Sequence, residues 1–260
     1  MNLANTAKHF DLSDKVILIT GGTRGLGLAM ARAFAEAGAS LVVSSRKADA
    51  CNAVAQAIRA ELGARCIGLP CHVADWDACD ALIEATYAEY GRVDVLVNNA
   101  GMSPPYDSLS SVSRELFDKV IGVNLAGPFR LSAIVGERMA AGAGGSIINV
   151  SSTAAVMPTA SELPYGAAKA GLQNLTSGLA HTYGPNVRCN CIMPGPFLTD
   201  IARAWDMDAM GSMFDELIPM QRAGQAHEIV GAALYLASDA SSYTNGAVIK
   251  IDGGMAYQPG

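Results

Sequence analysis

The chain has 260 residues, half of them hydrophobic and 16% charged, with a formal net charge of −6. Its 18 Lys and Arg are scattered among 24 Asp and Glu, which leaves no electrostatic case for nucleic acid, and no run of 18 or more apolar residues offers to span a bilayer. The opening "MNLANTAKHFDLSDK" lacks a basic-then-apolar signal pattern, so the expectation is a soluble, cytoplasmic protein whose partners are small molecules. Six cysteines, Cys51, Cys66, Cys71, Cys79, Cys189 and Cys191, form no C-x-x-C pair and no metal-like spacing with the four histidines. They read as buried thiols, and no metal is expected.

The first short apolar run, "KVILIT" at 15–20, leads into "TGGTRGLG", Thr20 to Gly27. The spacing Gly21-x3-Gly25-x-Gly27, with Thr23, Arg24 and Leu26 inside it, is that of a tight turn which lets a ligand approach the backbone. The helical pattern that follows, "GLAMARAFAEAG" closed by Gly38, would aim its first N–H groups at a pyrophosphate. The plain alternative is a tight connection with no ligand.

The second run, "SLVVSS" at 40–45, bears on which dinucleotide this would be. An NAD site carries an acidic residue near the end of this strand, whereas "VVSSRK" offers Ser44, Ser45, Arg46 and Lys47. Arg46, with Arg24 in the turn, suits the oxygens of a 2′-phosphate and points to NADP(H).

Five further runs follow: "RCIGL" at 65–69, "VDVLV" at 93–97, "SIINVS" at 146–151, "VRCNCI" at 187–192 and "AVIKI" at 247–251. Amphipathic stretches such as "CDALIEATYAEYG", closed by Gly91, lie between them. The alternation predicts an α/β Rossmann fold, a doubly wound parallel sheet of about seven strands, in a single domain over 1–260. Residues 194–224, with four methionines, two phenylalanines and a tryptophan, follow the sixth strand, where ligands bind in open α/β sheets. They read as a substrate lid within that domain; the alternative is a surface helical hairpin packed on the core.

In "PYGAAKAG", 164–171, Tyr165 and Lys169 stand four apart and so share one helix face. Alone, such a pair is common on solvated helices; other motifs give it context. "TGGTRGLG", "NNAG" at 98–101, "VNLAG" with Asn124, "INVSS" with Ser152, "YGAAK", "MPG" at 193–195 and "IDGG" at 251–254 occur in that order. With them the chain, from Lys15 to Gly254, resembles the short-chain dehydrogenase/reductase family.

The resemblance implies a catalytic tetrad of Asn124, Ser152, Tyr165 and Lys169. Tyr165 would be the acid that protonates the alkoxide formed by hydride addition to a carbonyl, and Lys169 together with the oxidised nicotinamide would supply the positive charge that lowers its pKa. Ser152 would bond the carbonyl oxygen, and Asn124 would hold a water for proton resupply. The resemblance further places Asn98, Ala100 and Gly101 at the adenosine side, with Asn98 bracing the sheet centre, and Pro194, Gly195 and Thr199 along the nicotinamide. His72-Val73 stands where many members carry Asp-Val against the adenine.

The small residues of 166–168 would let the helix pack closely beside the nicotinamide. "VVSSRK", "CHV" and the Trp- and Met-containing lid are similar to NADPH-dependent carbonyl and retinal reductases. A homotetramer is implied, and the small and apolar residues of "YGAAKAGLQNLTSGLA" suit such contacts. The expected function is NADPH-dependent reduction of a ketone or aldehyde to an alcohol, reversibly. Alternatives are a 3-oxoacyl-thioester reductase, an NAD-linked alcohol dehydrogenase and, remotely, a non-catalytic dinucleotide-binding scaffold.

Overall fold

All seven apolar runs become strands of one parallel sheet in the computed structural model, which describes residues 8–199 and 214–256. They are β1 (Val16–Thr20), β2 (Ser40–Ser45), β3 (Cys66–Pro70), β4 (Val95–Asn98), β5 (Gly145–Val150), β6 (Val187–Pro194) and β9 (Val248–Ile251). Their spatial order is β3-β2-β1-β4-β5-β6-β9. A two-residue pair, β7 (Phe197–Leu198) and β8 (Gly224–Gln225), stands apart.

The connecting helices are α1 (Gly25–Glu36), α2 (Ala48–Leu62), α3 (Trp76–Tyr90), α4 (Arg114–Ile121), α5 (Gly127–Ala141), α6 (Leu163–Tyr183) and α7 (Val230–Ala237). Successive residues of the central strands go to opposite apolar layers, as the period of two demands. Ile17, Ile19, Val95, Val97 and Ile148 join a cluster with Met30 and Phe34 of α1 and Leu236 of α7. Leu18, Leu96 and Ile147 face Ile83 of α3, Leu131 of α5 and Leu179 of α6. Burial on both faces is why these strands read as unbroken apolar runs.

The chain winds outward in both directions from β1 and β4, which lie side by side. The carboxyl ends there part to leave the crevice in which such sheets bind ligands. All six cysteines are free and buried. Among the described residues, no helix is long and apolar enough to cross a membrane.

Of the expected lid at 194–224, residues 200–213 lie outside the described residues. Its far end is described: Phe214, Ile218 and Ala223 form a small apolar cluster with Leu198 and Met255.

Candidate active site

The glycine turn is shaped by contacts that leave no room for a side chain. Gly21 has φ +65°, and a Cβ there would stand 2.8 Å from Asn99 Nδ2; a Cβ at Gly27 would stand 2.2 Å from the Gly21 carbonyl oxygen. Asn99 Nδ2 donates to the carbonyls of Thr20 (3.0 Å) and Gly21 (3.1 Å). Thr20 Oγ1 in turn accepts from the backbone N–H groups of Asn99 and Ala100, both at 3.1 Å. Asn99 and Thr20 are thus the braces of the turn. Both lie inside the quoted motifs but were given no role by sequence reasoning; the signal was the second asparagine of "NNAG".

Its neighbour Asn98 is buried and bonds Ser132 (2.9 Å) and Asn149 (2.8 Å), a brace at the sheet centre. Ala100 and the exposed Gly101 continue from β4 into the cleft.

Arg24 stands at the N-cap of α1 with no side-chain cap bond, and no acidic residue occupies the first turn of that helix. The helix therefore presents its N–H groups and positive dipole end without an internal anion. Gly22 N–H bonds the Ser44 carbonyl at 3.1 Å, tying the turn to the end of β2. Just beyond lie Ser45, partly buried against the Cys51 thiol, and the exposed Arg46. Among the described residues neither Arg24 nor Arg46 has an ion pair. His72 is half-buried and Val73 buried in the loop after β3, where the His72 carbonyl accepts from Asp75 N–H at 2.8 Å.

On the other side of β1, Pro194 pairs with Ile251, and Gly195 N–H bonds the Ile251 carbonyl at 3.0 Å, so the chain after β6 is held against the "IDGG" segment. Thr199 reaches the glycine turn: its side chain lies 3.5 Å from where a Gly25 Cβ would be. These residues fit a nicotinamide dinucleotide. A cradle lined by glycines, an open helix N-terminus and two guanidinium groups with no ion pair among the described residues follow the length such a molecule would take.

The tetrad positions converge at the ends of β5 and α6. Ser152 follows β5 and accepts from Ala154 N–H at 3.2 Å, opening a short 3-10 turn over Thr153–Ala155. Gly166 lets the first turn of α6 approach it: a Cβ there would be 2.6 Å from the Ala154 carbonyl oxygen. Ala168 is buried while Ala167 faces outward, so close packing accounts for two of the three small residues.

Lys169 is buried, donates from Nζ to the Val150 carbonyl at 2.7 Å, and stands 5.6 Å from the Tyr165 ring centroid. Asn124 lies in a wide helical turn, Gly122–Ala126, between α4 and α5, the kind of local distortion often found at functional sites. Its Nδ2 donates to the carbonyls of Met102 (2.8 Å) and Val120 (2.9 Å), and its Oδ1 accepts from Met102 N–H at 3.2 Å. A Cβ at Gly101 would sit 3.0 Å from Asn124 Oδ1 and 3.5 Å from Lys169 Nζ, which brings Asn124 and Lys169 to one place.

Burial dominates the electrostatics. It pushes the Tyr165 phenol up to about 12; a hydrogen bond with Ser152 draws it down, and the Glu162 charge pushes it up. Burial pulls the Lys169 ammonium down to about 8. Desolvation is the largest influence on the phenol in the chain alone, and it acts upward. The phenol is therefore fully protonated near neutrality, the form an acid needs.

A glycine-turn cradle leading to a tyrosine, a serine and a lysine around one point defines a dinucleotide-dependent oxidoreductase. Residues 21–256 match a family profile described as enoyl-(acyl carrier protein) reductase. D-threitol dehydrogenase of Mycolicibacterium smegmatis is 38% identical over 96% of this chain and 95% of its own. The 3-oxoacyl-(acyl-carrier-protein) reductase FabG of Chlamydia trachomatis is 35% identical over 94% of this chain and 98% of its own.

The structure of a gluconate 5-dehydrogenase from Burkholderia cenocepacia, in complex with NADP and tartrate, superposes with a TM-score of 0.92 at 33% identity, over 98% of this chain and all of that one. The chain belongs to the short-chain dehydrogenase/reductase family and is an oxidoreductase of the CH–OH/C=O type that uses a nicotinamide dinucleotide.

Proposed function

We propose that the protein is an NADPH-dependent reductase of ketones or aldehydes, reversible as an alcohol dehydrogenase. The observation that carries this reading is the meeting of Tyr165, Ser152 and Lys169 at the ends of β5 and α6, with Lys169 Nζ 5.6 Å from the Tyr165 ring centroid. The bound dinucleotide would supply the hydride. Ser152 would hold the carbonyl oxygen, and Tyr165 would deliver the proton to it as negative charge develops. Lys169, whose ammonium burial pulls down to about 8, would return a proton to the phenol. Asn124, its side chain committed to Met102 and Val120, would fix the cleft wall and leave proton resupply to water nearby.

The 2′-phosphate would lie between Arg24 and Arg46, the two cations at the turn and the end of β2. His72 and Val73 would border the adenine. Support comes also from the NADP in the gluconate 5-dehydrogenase neighbour.

A second reading, a 3-oxoacyl-thioester reductase, is favoured by the Chlamydia relative. Against it, the described part of the 194–224 segment holds Asp215 and Glu216, and its Arg222 is already paired with Glu228 at 2.7 Å, so little positive charge remains there for an acidic carrier. Assembly as a homotetramer is proposed as well. Phe117 on α4 and Trp76 and Phe129, whose rings meet at 6.2 Å, are all more than two-fifths exposed on the single chain. Sedimentation at the mass of one chain would overturn that part.

The test of function is loss of reduced-cofactor absorbance with NADPH and a panel of ketones, aldehydes and acyl thioesters. Turnover of simple carbonyls supports the reading. Turnover confined to thioesters would favour the second one, and none at all would favour a scaffold.

A further inference from the structure

Glu162 stands at the N-cap position of α6, three residues before Tyr165, yet its side chain makes no cap hydrogen bond with the helix. Instead the side chain lines a narrow crevice shared with Tyr165, walled by the apolar Pro104, Leu116 and Val120. The crevice has room for about one water-sized group.

The other polar groups there differ in what they have to spare. The Tyr106 hydroxyl donates to the Ala160 carbonyl at 2.6 Å and accepts from Leu163 N–H at 2.9 Å, which ties the turn bearing Glu162 to the loop after β4. Ser103 at the rim is exposed. Glu162 is half-buried, and that burial raises its carboxyl above the ordinary value against one hydrogen bond with Thr159. A carboxylate can accept at about four sites, so acceptor capacity is left over beside the proton donor.

Because Tyr165 lines this crevice too, a substrate whose carbonyl oxygen reaches its phenol would bring an adjoining substituent there. An alkyl group there would suit the walls but leave the carboxylate shielded and unpaired, which costs free energy. A carboxylate would bring like charges together. A hydroxyl is small enough and has the donor that the site lacks.

We infer that Glu162 selects the substrate by accepting a hydrogen bond from a neutral hydroxyl on the carbon next to the reacting carbonyl and by repelling a carboxylate at that position. The preferred substrates are then α-hydroxy ketones and the vicinal diols they form. This rests on the reading that Tyr165 protonates a carbonyl oxygen.

The test compares kcat/KM for NADPH-dependent reduction of 1-hydroxybutan-2-one, butan-2-one, 2-oxobutanoate and protonated 1-aminobutan-2-one in the wild type, Glu162→Gln and Glu162→Ala. NADPH binding by fluorescence checks that each variant keeps its cofactor site. In the wild type the hydroxy ketone should exceed butan-2-one by about tenfold or more, as a site built to bond a hydroxyl rejects the analogue without it, and 2-oxobutanoate should be the poorest.

Glu162→Gln should raise the ratio of 2-oxobutanoate to hydroxy ketone by about tenfold or more, since the amide repels no anion and can donate to it. Glu162→Ala should abolish the preference for the hydroxyl. Wild-type ratios near one, ratios unchanged in both variants, or a preference for the ammonium ketone over the hydroxy ketone would each overturn the inference. A wild type that binds NADPH but reduces none of the four overturns the carbonyl-reductase reading itself, and the inference with it.

Discussion

On the β1–β2 side of the cleft, shape is set by missing atoms: a Cβ at Gly27 would stand 2.2 Å from the Gly21 carbonyl oxygen, and Asn99 closes the turn through two backbone carbonyls. On the β5–α6 side it is set by side chains in low-dielectric surroundings, where burial moves Tyr165 up to about 12 and Lys169 down to about 8. The first side can hold a ligand without titrating anything. The second holds ionisable groups away from their solution behaviour, which costs stability and yields a proton donor. Mutations should therefore separate the two: one side governs which cofactor binds, the other what happens after it has bound.

The largest effect is expected at the reacting group. Tyr165→Phe should lower turnover by about 10²–10⁴-fold with NADPH affinity nearly unchanged, as measured by steady-state kinetics and fluorescence titration. Retention of more than about a tenth of the activity, a loss far below that range, would remove Tyr165 from the role of acid.

Next comes cofactor choice on the opposite side. Charge-assisted contacts are worth roughly 1.5–3 kcal/mol each, so Arg24 and Arg46 together should favour NADPH over NADH by about two orders of magnitude or more. Replacing Ser45 with Asp and Arg46 with Ala should invert the ratio of kcat/KM, because the new carboxylate repels a 2′-phosphate and accepts from a ribose hydroxyl. A wild type that uses both cofactors equally would show that Arg46 belongs to solvent and would move the reading toward an NAD-linked alcohol dehydrogenase.

Lys169 makes the cost of the catalytic side measurable. Its pKa is lower in the folded chain, about 8, than its ordinary 10.5. Between those values the unfolded chain binds more protons, so this group makes stability rise with pH from about 8 to 10.5, and its burial penalty is fully present below 8. Lys169→Met should lose turnover yet gain stability at pH 7, on the order of 3 kcal/mol at most, and the gain should shrink as pH rises towards 10.5. Thermal unfolding at pH 7 and pH 10 checks this; a variant destabilised equally at both would show that the bond to Val150 outweighs the buried charge.

The smallest effect on turnover is expected in the glycine cradle, where a Gly27 Cβ would stand 2.2 Å from the Gly21 carbonyl oxygen and backbone must shift to admit it. Gly27→Ala should cost about 1–3 kcal/mol of stability through overpacking and weaken NADPH binding. The value of kcat at saturating cofactor should change less than KM. A collapse of kcat with unchanged affinity would mean that the two sides are not separable.

The sequence by itself determined the seven strands, their two-faced burial and the glycine turn. Those depend on patterns of nearby residues: alternating apolar side chains such as Ile17, Leu18 and Ile19 sort to opposite layers whatever lies elsewhere, and a tight turn needs its glycines locally. The motifs also marked Ser152, Tyr165 and Lys169 as one site. Only the tertiary structure decided what depends on groups far apart in the chain. That Asn98 braces the sheet while Asn99 holds the turn depends on which partner each amide meets across the fold. Desolvation dominates at Tyr165 because burial sums over every neighbouring element, and Glu162 lines a crevice with residues some sixty positions away. Local pattern fixes backbone geometry because its interactions span a few residues; charge state and pocket chemistry follow from solvent exclusion, a property of the whole packed molecule.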